Sequence, residues 1–326
     1  MTTTGNFQLV FLEQVKKKLN SNVSFADELA ETLSISHDSV YRRLRGETVL
    51  TFDEIKILCL RYGVSLDNLI AGSGDIVSFQ YRSVDAEDYT FDKWLKSTIA
   101  NLEALLPFPD RQIINLANNV PPAYFLNFPL LGPFKVFFWL TAVWKVENMK
   151  GVKFSPDLLS DELITLGKQF WKRYSETPRT EIWCDETINT TLHQIEFYNE
   201  SGLLAETGYA TQLCDEYLSL IREIRKWATS GYKDIPEHSF TLYENDLLLP
   251  EATILFKMGG KQLTILPCHT MNLLTTSDDM FCRKTEKFLS NVMAKSNLIS
   301  TSGEKDRNKF FNLMEDKILQ VRNRVK

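Results

Sequence analysis

The feature that most constrains this chain is a run of small and aliphatic residues near its start: Leu29-Ala30, Leu33-Ser34-Ile35-Ser36, Val40, Leu44 and Gly46. Phe25, Leu29 and Leu33 recur at every fourth position, as the inner face of a helix requires. Ser34 interrupts that face, and a second helix then runs from Ser36 to about Arg45, with Val40 and Leu44 one turn apart as its anchors. Gly46 stops it. Ala30 is small where the two helices cross, and Ile35 plugs the core from the turn. Seating the second helix on Val40 and Leu44 leaves His37, Asp38, Ser39, Tyr41, Arg42 and Arg45 on its outer face, with Arg43 flanking them.

Three further helices are expected around this pair. Phe7, Val10, Phe11, Val15 and Leu19 give residues 7–19 an apolar face. Ser24 with Asp27, and Thr51 with Glu54, each carry the cap-and-third-residue signature of a helix start. The helix after Thr51 turns Ile55, Leu58, Cys59 and Tyr62 inward and ends at Gly63, and Ser65 then caps a short fifth helix at 66–70. Two helices joined by so tight a turn form a helix-turn-helix, whose second helix enters the major groove. Leu29-Ala30, Ile35-Ser36, Gly46 and above all Arg61-Tyr62-Gly63-Val64-Ser65-Leu66-Asp67-Asn68-Leu69-Ile70 resemble the DNA-binding domain of Cro and phage-repressor (XRE-like) type transcription regulators. The resemblance covers residues 6–70. It implies a five-helix fold, double-stranded DNA as partner, and operator reading by a homodimer. Members of that family often place Thr-Gln at the start of the second helix, with the Gln on a phosphate; this chain has Phe25-Ala26 instead.

Charge tempers the expectation. The net charge of −5 gives no global attraction to nucleic acid. Residues 1–70 hold eight Lys and Arg against nine Asp and Glu, a net of −1, so nonspecific affinity should be modest and salt-sensitive. Arg42 is the first candidate for base reading, since a forked contact to guanine is worth about 1–3 kcal/mol of discrimination. Asp38 would repel phosphate unless it accepts a proton from cytosine or pairs with Arg42. The competing reading is a degenerate helical module that binds protein and no DNA, its arginines forming a solvated or docking face.

The expected organisation is a helix-turn-helix domain at 1–72, a linker at 73–88 and a mostly helical dimerisation or effector domain at 89–326. The linker rests on Gly72, Ser73, Gly74 and four acids without a sustained period. Helices are expected at 89–106, 129–146, 160–174, 186–200, 211–229, 280–296 and 303–324 from their three-to-four spacing. Strands are expected at 252–258 and 261–266 around Gly259-Gly260, with a third at 269–276. The fold class is thus mainly α with a small antiparallel hairpin or sheet, α+β in the larger domain.

Other chemistry finds little footing. No dinucleotide, P-loop or hydrolase motif occurs, and the C-terminal half offers no serine-lysine pair for self-cleavage, so no enzyme and no cofactor are expected. Cys268-His269 with Cys282 reads as packed residues rather than a metal site, because neighbours on a strand point to opposite faces. His193 with Glu196 reads as a surface pair. Residues 112–134 are uncharged, but their asparagines and prolines argue for a soluble core and against a membrane span. Five scattered cysteines and a start without a basic-then-apolar signal suggest a reducing, cytoplasmic setting. The aromatic cluster of Phe125, Phe128, Phe134, Phe137, Phe138, Trp139 and Trp144 reads as core, or as the place where a small-molecule or protein effector, or a second copy, would dock.

Overall fold

Local chemistry sets the helix ends of the first unit. A computed structural model describes residues 7–19, 24–66, 69, 76–82, 84, 89–246, 251–268 and 271–326. They fall into two compact units, Met1–Ser78 and Phe79–Lys326. In the first, α1 (Phe7–Lys17), α2 (Phe25–Leu33), α3 (His37–Leu44) and α4 (Phe52–Tyr62) enclose Phe11, Leu12, Val15, Leu29, Val40 and Leu58. Thr51 and Glu54 form the expected reciprocal cap of α4, and Gly63 ends it in the left-handed region at φ 64°. Ser24 sits at the start of α2 but makes no side-chain cap bond. Most of the expected fifth helix, 66–70, lies outside the described residues; Leu66 and Leu69 are half-buried against the same core.

The second unit overturns the expected fold class. In place of a small antiparallel hairpin it holds an eight-stranded mixed sheet, ordered β1-β7-β6-β5-β2-β3-β4-β8. The strands are β1 (Gln80–Arg82), β2 (Gln112–Leu116), β3 (Arg179–Trp183), β4 (Phe240–Glu244), β5 (Thr253–Met258), β6 (Lys261–Cys268), β7 (Asn272–Thr276) and β8 (Asn297–Leu298). β2, β3 and β4 run parallel and the remaining pairings are antiparallel. The architecture is α+β around a large sheet. All five residues of β3 are buried, Arg179 and Glu181 among them. A strand covered on both faces shows no in-out alternation, and charged residues within it mask the apolar run that would otherwise mark it. β1 begins inside the stretch read as a linker, where three residues are too few to set a period.

The helices of this unit are α5 (Phe91–Glu103), α6 (Pro122–Phe125), α7 (Leu131–Ala142), α8 (Asp161–Ser175), α9 (Asn189–Glu200), α10 (Tyr209–Ser230), α11 (Asp279–Ala294) and α12 (Glu304–Arg324). Strand register sorts the sheet residues. Ile113, Trp183, Phe240 and Leu242 meet the cores built by α5–α10 and α12, while Ile114, Leu116, Ile182 and Leu255 pack on Cys282 and Leu289 of α11. The β5–β6 turn is the Gly259-Gly260 pair, at φ 53° and 71°, and both amides donate to the Asp110 carboxylate at 2.8 and 3.1 Å. A two-residue hairpin loop needs positive φ at both positions, which glycine supplies without strain. Residues 269–270 of the expected third strand lie outside the described residues; β7 begins at Asn272.

The aromatic cluster is core. Phe125, Phe134, Phe137 and Trp139 are each at most 4% exposed, and Phe128, Phe138 and Trp144 are half-buried. Lys135 is buried with them. Its Nζ donates to Thr191 Oγ1 at 3.2 Å and Gln194 Oε1 at 2.6 Å, and lies 4.7 Å from the Phe125 ring centroid. Desolvation lowers its pKa to about 7. Among the described residues no helix is long and apolar enough to cross a membrane, and no group of three His, Cys, Asp or Glu could hold a metal ion.

Candidate nucleic-acid interface

Geometry at the α2–α3 turn begins with backbone. Ser34 closes α2 in the left-handed region at φ 53°, ψ 44°, and its N–H and that of Ile35 return to the carbonyls of Glu31 and Ala30. A non-glycine residue is uncommon there, so the turn is held by what surrounds it. Ser36 then caps α3: its Oγ accepts from the Ser39 amide at 3.3 Å and lies 3.0 Å from Ser39 Oγ. Val40 is 1% exposed, and Ile35 and Leu44 pack half-buried on the same core. Burying the Val40 side chain contributes about 1.5–2 kcal/mol, enough to fix which way a helix of eight residues faces.

That orientation exposes His37, Asp38, Tyr41, Arg42 and Arg45. Their chemistry differs. The Arg42 carbonyl accepts from the Glu47 and Thr48 amides, but its side chain makes no hydrogen bond or ion pair among the described residues, so its guanidinium is available. Arg45 forks onto Glu47, its Nε 2.6 Å from Oε1 and its Nη2 3.0 Å from Oε2. The hydrogen bond from Arg45 is the main cause holding the Glu47 carboxyl below its usual range. His37 Nε2 lies 2.7 Å from Asp27 Oδ1, a pair exposed on both sides. Ser39 is half-buried and engaged with Ser36.

Arg43 is turned away from this face. Its Nε and Nη2 contact the two oxygens of Glu54 at 3.2 and 2.8 Å, its Nη1 donates to the Ser39 carbonyl, and its side chain is only 14% exposed. Because Glu54 also accepts from the Thr51 amide, one carboxylate ties the start of α4 to the last turn of α3. Gln8 of α1, which sequence reasoning passed over, completes the brace. Its amide donates to the carbonyls of Arg43 and Thr48 and accepts from the Leu50 amide. A lone polar residue on an otherwise apolar helix face was the available signal. Arg61 and Tyr62, which carry part of the sequence resemblance, are structural as well: both side chains converge on Glu28 Oε1, at 3.0 and 2.8 Å.

The candidate residues named from sequence in the larger unit do not assemble into a second site. Cys268 and Cys282 lie on β6 and α11, and Cys282 is buried with Thr264 Oγ1 donating to its sulfur. His269 lies outside the described residues. His193 is exposed, while Glu196 pairs with Arg324.

No protein-family model matches the chain, and neither a curated protein nor a solved structure matches it.

Proposed function

We propose that this protein is a sequence-specific DNA-binding transcription regulator that reads the major groove with α3. The observation that carries the reading is the rigid seating of α3, by the Ser36 cap, buried Val40 and the Arg43–Glu54 brace, with Arg42 outward and uncommitted. A preformed, exposed helix with a free guanidinium suits direct readout, because arginine donates two parallel hydrogen bonds to guanine O6 and N7. The larger unit serves dimerisation or effector sensing. One such helix spans few base pairs, so a twofold pair is expected to be needed for useful specificity. The cytoplasm is the expected setting, in keeping with free thiols at all five cysteines.

The test is selection of bound sequences from a random duplex pool with the full chain, followed by Arg42→Ala on the selected site. Loss of one forked base contact should weaken binding by about 5- to 150-fold and relax preference at one base pair. Absence of any sequence preference at low salt would defeat the reading.

One observation favours a second reading, a protein-binding module. Val49, Phe52 and Leu60 are 77%, 89% and 77% exposed, and Phe52 and Leu60 share one face of α4. Arg45 is meanwhile neutralised by Glu47. Under this reading Phe52→Ser abolishes a protein contact while Arg42→Ala leaves every DNA measurement unchanged.

A further inference from the structure

The parallel strands of the larger unit carry a buried group of charges. Glu181 of β3 is fully buried, and its carboxylate accepts from neutral donors: Tyr124 Oη at 2.6 Å and Tyr174 Oη at 3.5 Å on one oxygen, Trp183 Nε1 at 2.8 Å on the other. Two basic side chains sit beside it without taking it as an ion-pair partner, and burial, with the Arg179 guanidinium nearby, holds the Lys233 amine well below its usual pKa. Arg179, 1% exposed, uses Nε and Nη2 on the Tyr174 carbonyl, and its Nη1 has no hydrogen-bond partner among the described residues. Lys233 enters from the segment after α10; its stem is half-buried, and its enclosed Nζ sits among the Tyr124, Tyr174, Trp227 and Phe240 rings with no hydrogen-bond partner among the described residues.

Both side chains sit beside one ring: the Arg179 Cζ lies 3.0 Å and the Lys233 Nζ 5.5 Å from the Tyr174 centroid, so Cζ and Nζ are at most 8.5 Å apart. The other carboxylate acting on Lys233, Asp234, is itself engaged by His238. Buried donors without hydrogen-bond partners are costly, and native structures offset such groups with a water, an ion or a ligand. Lys233 also lines a groove of about 480 Å³ with Phe128, Trp227, Tyr232, Lys226 and Glu223. The groove is open to solvent and Arg179 is not among its lining residues, but its aromatic walls suit a flat apolar group.

We propose that Arg179 and Lys233 form the inner end of a binding site for a small carboxylate with a flat apolar body, entered from the groove over Trp227. The carboxylate bridges the Arg179 Nη1 and Lys233 Nζ, and the body stacks on Trp227 and Phe128. A cationic ligand is disfavoured, because it would meet the Arg179 guanidinium and a carboxylate already saturated by three donors. The site is independent of the α3 reading and its assay contains no DNA.

The test titrates the full chain with benzoate, and in parallel with benzylammonium and inorganic phosphate, by calorimetry and by tryptophan fluorescence, to which the stacked Trp171–Trp227 pair contributes. Benzoate should bind saturably and benzylammonium should not. Lys233→Met should weaken benzoate by at least about tenfold while Lys226→Met, on the same groove, changes it less than about threefold. Circular dichroism checks that each variant is folded. The wild-type titration decides the matter even if Lys233→Met does not fold. No saturable benzoate signal up to about 10 mM, binding of phosphate alone, stronger binding of benzylammonium, or a Lys233→Met variant that binds as wild type would each overturn the proposal.

Discussion

Replacing Lys135 by Met should change how stability depends on pH, and the size of the change follows from burial. The ammonium is 4% exposed, hydrogen-bonded only to Thr191 and Gln194, ringed by Phe125, Phe138 and Trp139, and has no carboxylate within ion-pair distance among the described residues. Desolvation lowers its pKa to about 7 in the folded chain, against about 10.4 in the unfolded chain. The folded state therefore disfavours the charged form. The penalty is complete below about pH 7 and vanishes as pH rises through about 10.4, because the unfolded chain holds the extra proton in between. Over the whole window this is of order 5 kcal/mol at about 1.4 kcal/mol per pH unit. Between about pH 7.5 and 9.5, wild type should gain about 2.5 kcal/mol relative to Lys135→Met. Losing the bonds to Thr191 and Gln194 adds a cost of about 1 kcal/mol each, but a nearly pH-independent one, so it shifts the difference without altering its slope. All six tryptophans belong to the second unit, so urea unfolding followed by their fluorescence reports on the relevant fold alone. A wild-type-minus-variant difference that stays flat within about 0.5 kcal/mol over that range would refute the argument that Lys135 is held desolvated.

The remaining predictions concern the first unit and one helix start. Arg43→Ala should destabilise the first unit by about 2–4 kcal/mol, since it strands the Glu54 carboxylate at 13% exposure, whereas Arg42→Ala should stay within about 0.5 kcal/mol; thermal melts by circular dichroism of both variants compare them directly. Ser34→Gly should raise stability by up to about 1 kcal/mol by relieving a left-handed serine, and a lowered melting temperature would count against the strain argument. Glu216→Ala should cost about 1–2 kcal/mol, because its carboxylate accepts the Leu130 and Leu131 amides at the start of α7; the fluorescence-detected urea midpoint measures it.

The first unit was largely legible from its residues, and for a physical reason. Its helices are short, cover one core each with one stripe, and are bounded by Thr51, Ser36 and Gly63, whose roles are local. What spacing could not convey was which arginine faces outward. Arg42 and Arg43 are adjacent, and only the position of Glu54 on another helix decides that Arg43 is withdrawn. In the second unit the long helices, such as α10 and α12, follow their apolar period closely. The sheet stayed hidden apart from β5, β6 and β7. Those three alternate or turn on paired glycines, whereas β2 and β3 earn their strand geometry from neighbours distant in sequence. The Glu181 group was equally invisible, because Tyr124, Arg179 and Lys233 meet only through β3 and the segment after α10.

The pairing of β1 with β7 has a kinetic consequence. Gln80 stands opposite Thr275, and Asn272 accepts the Val84 amide while donating to the Tyr81 hydroxyl. During synthesis, the strand that leaves the first unit has no partner until nearly two hundred further residues have emerged. The small helical unit can mature early, on its local contacts, while the larger one must wait for its most distant pairing before that edge of the sheet can close. A ribosome stalled short of β7 would thus carry a finished helical unit attached to a body that is still incomplete.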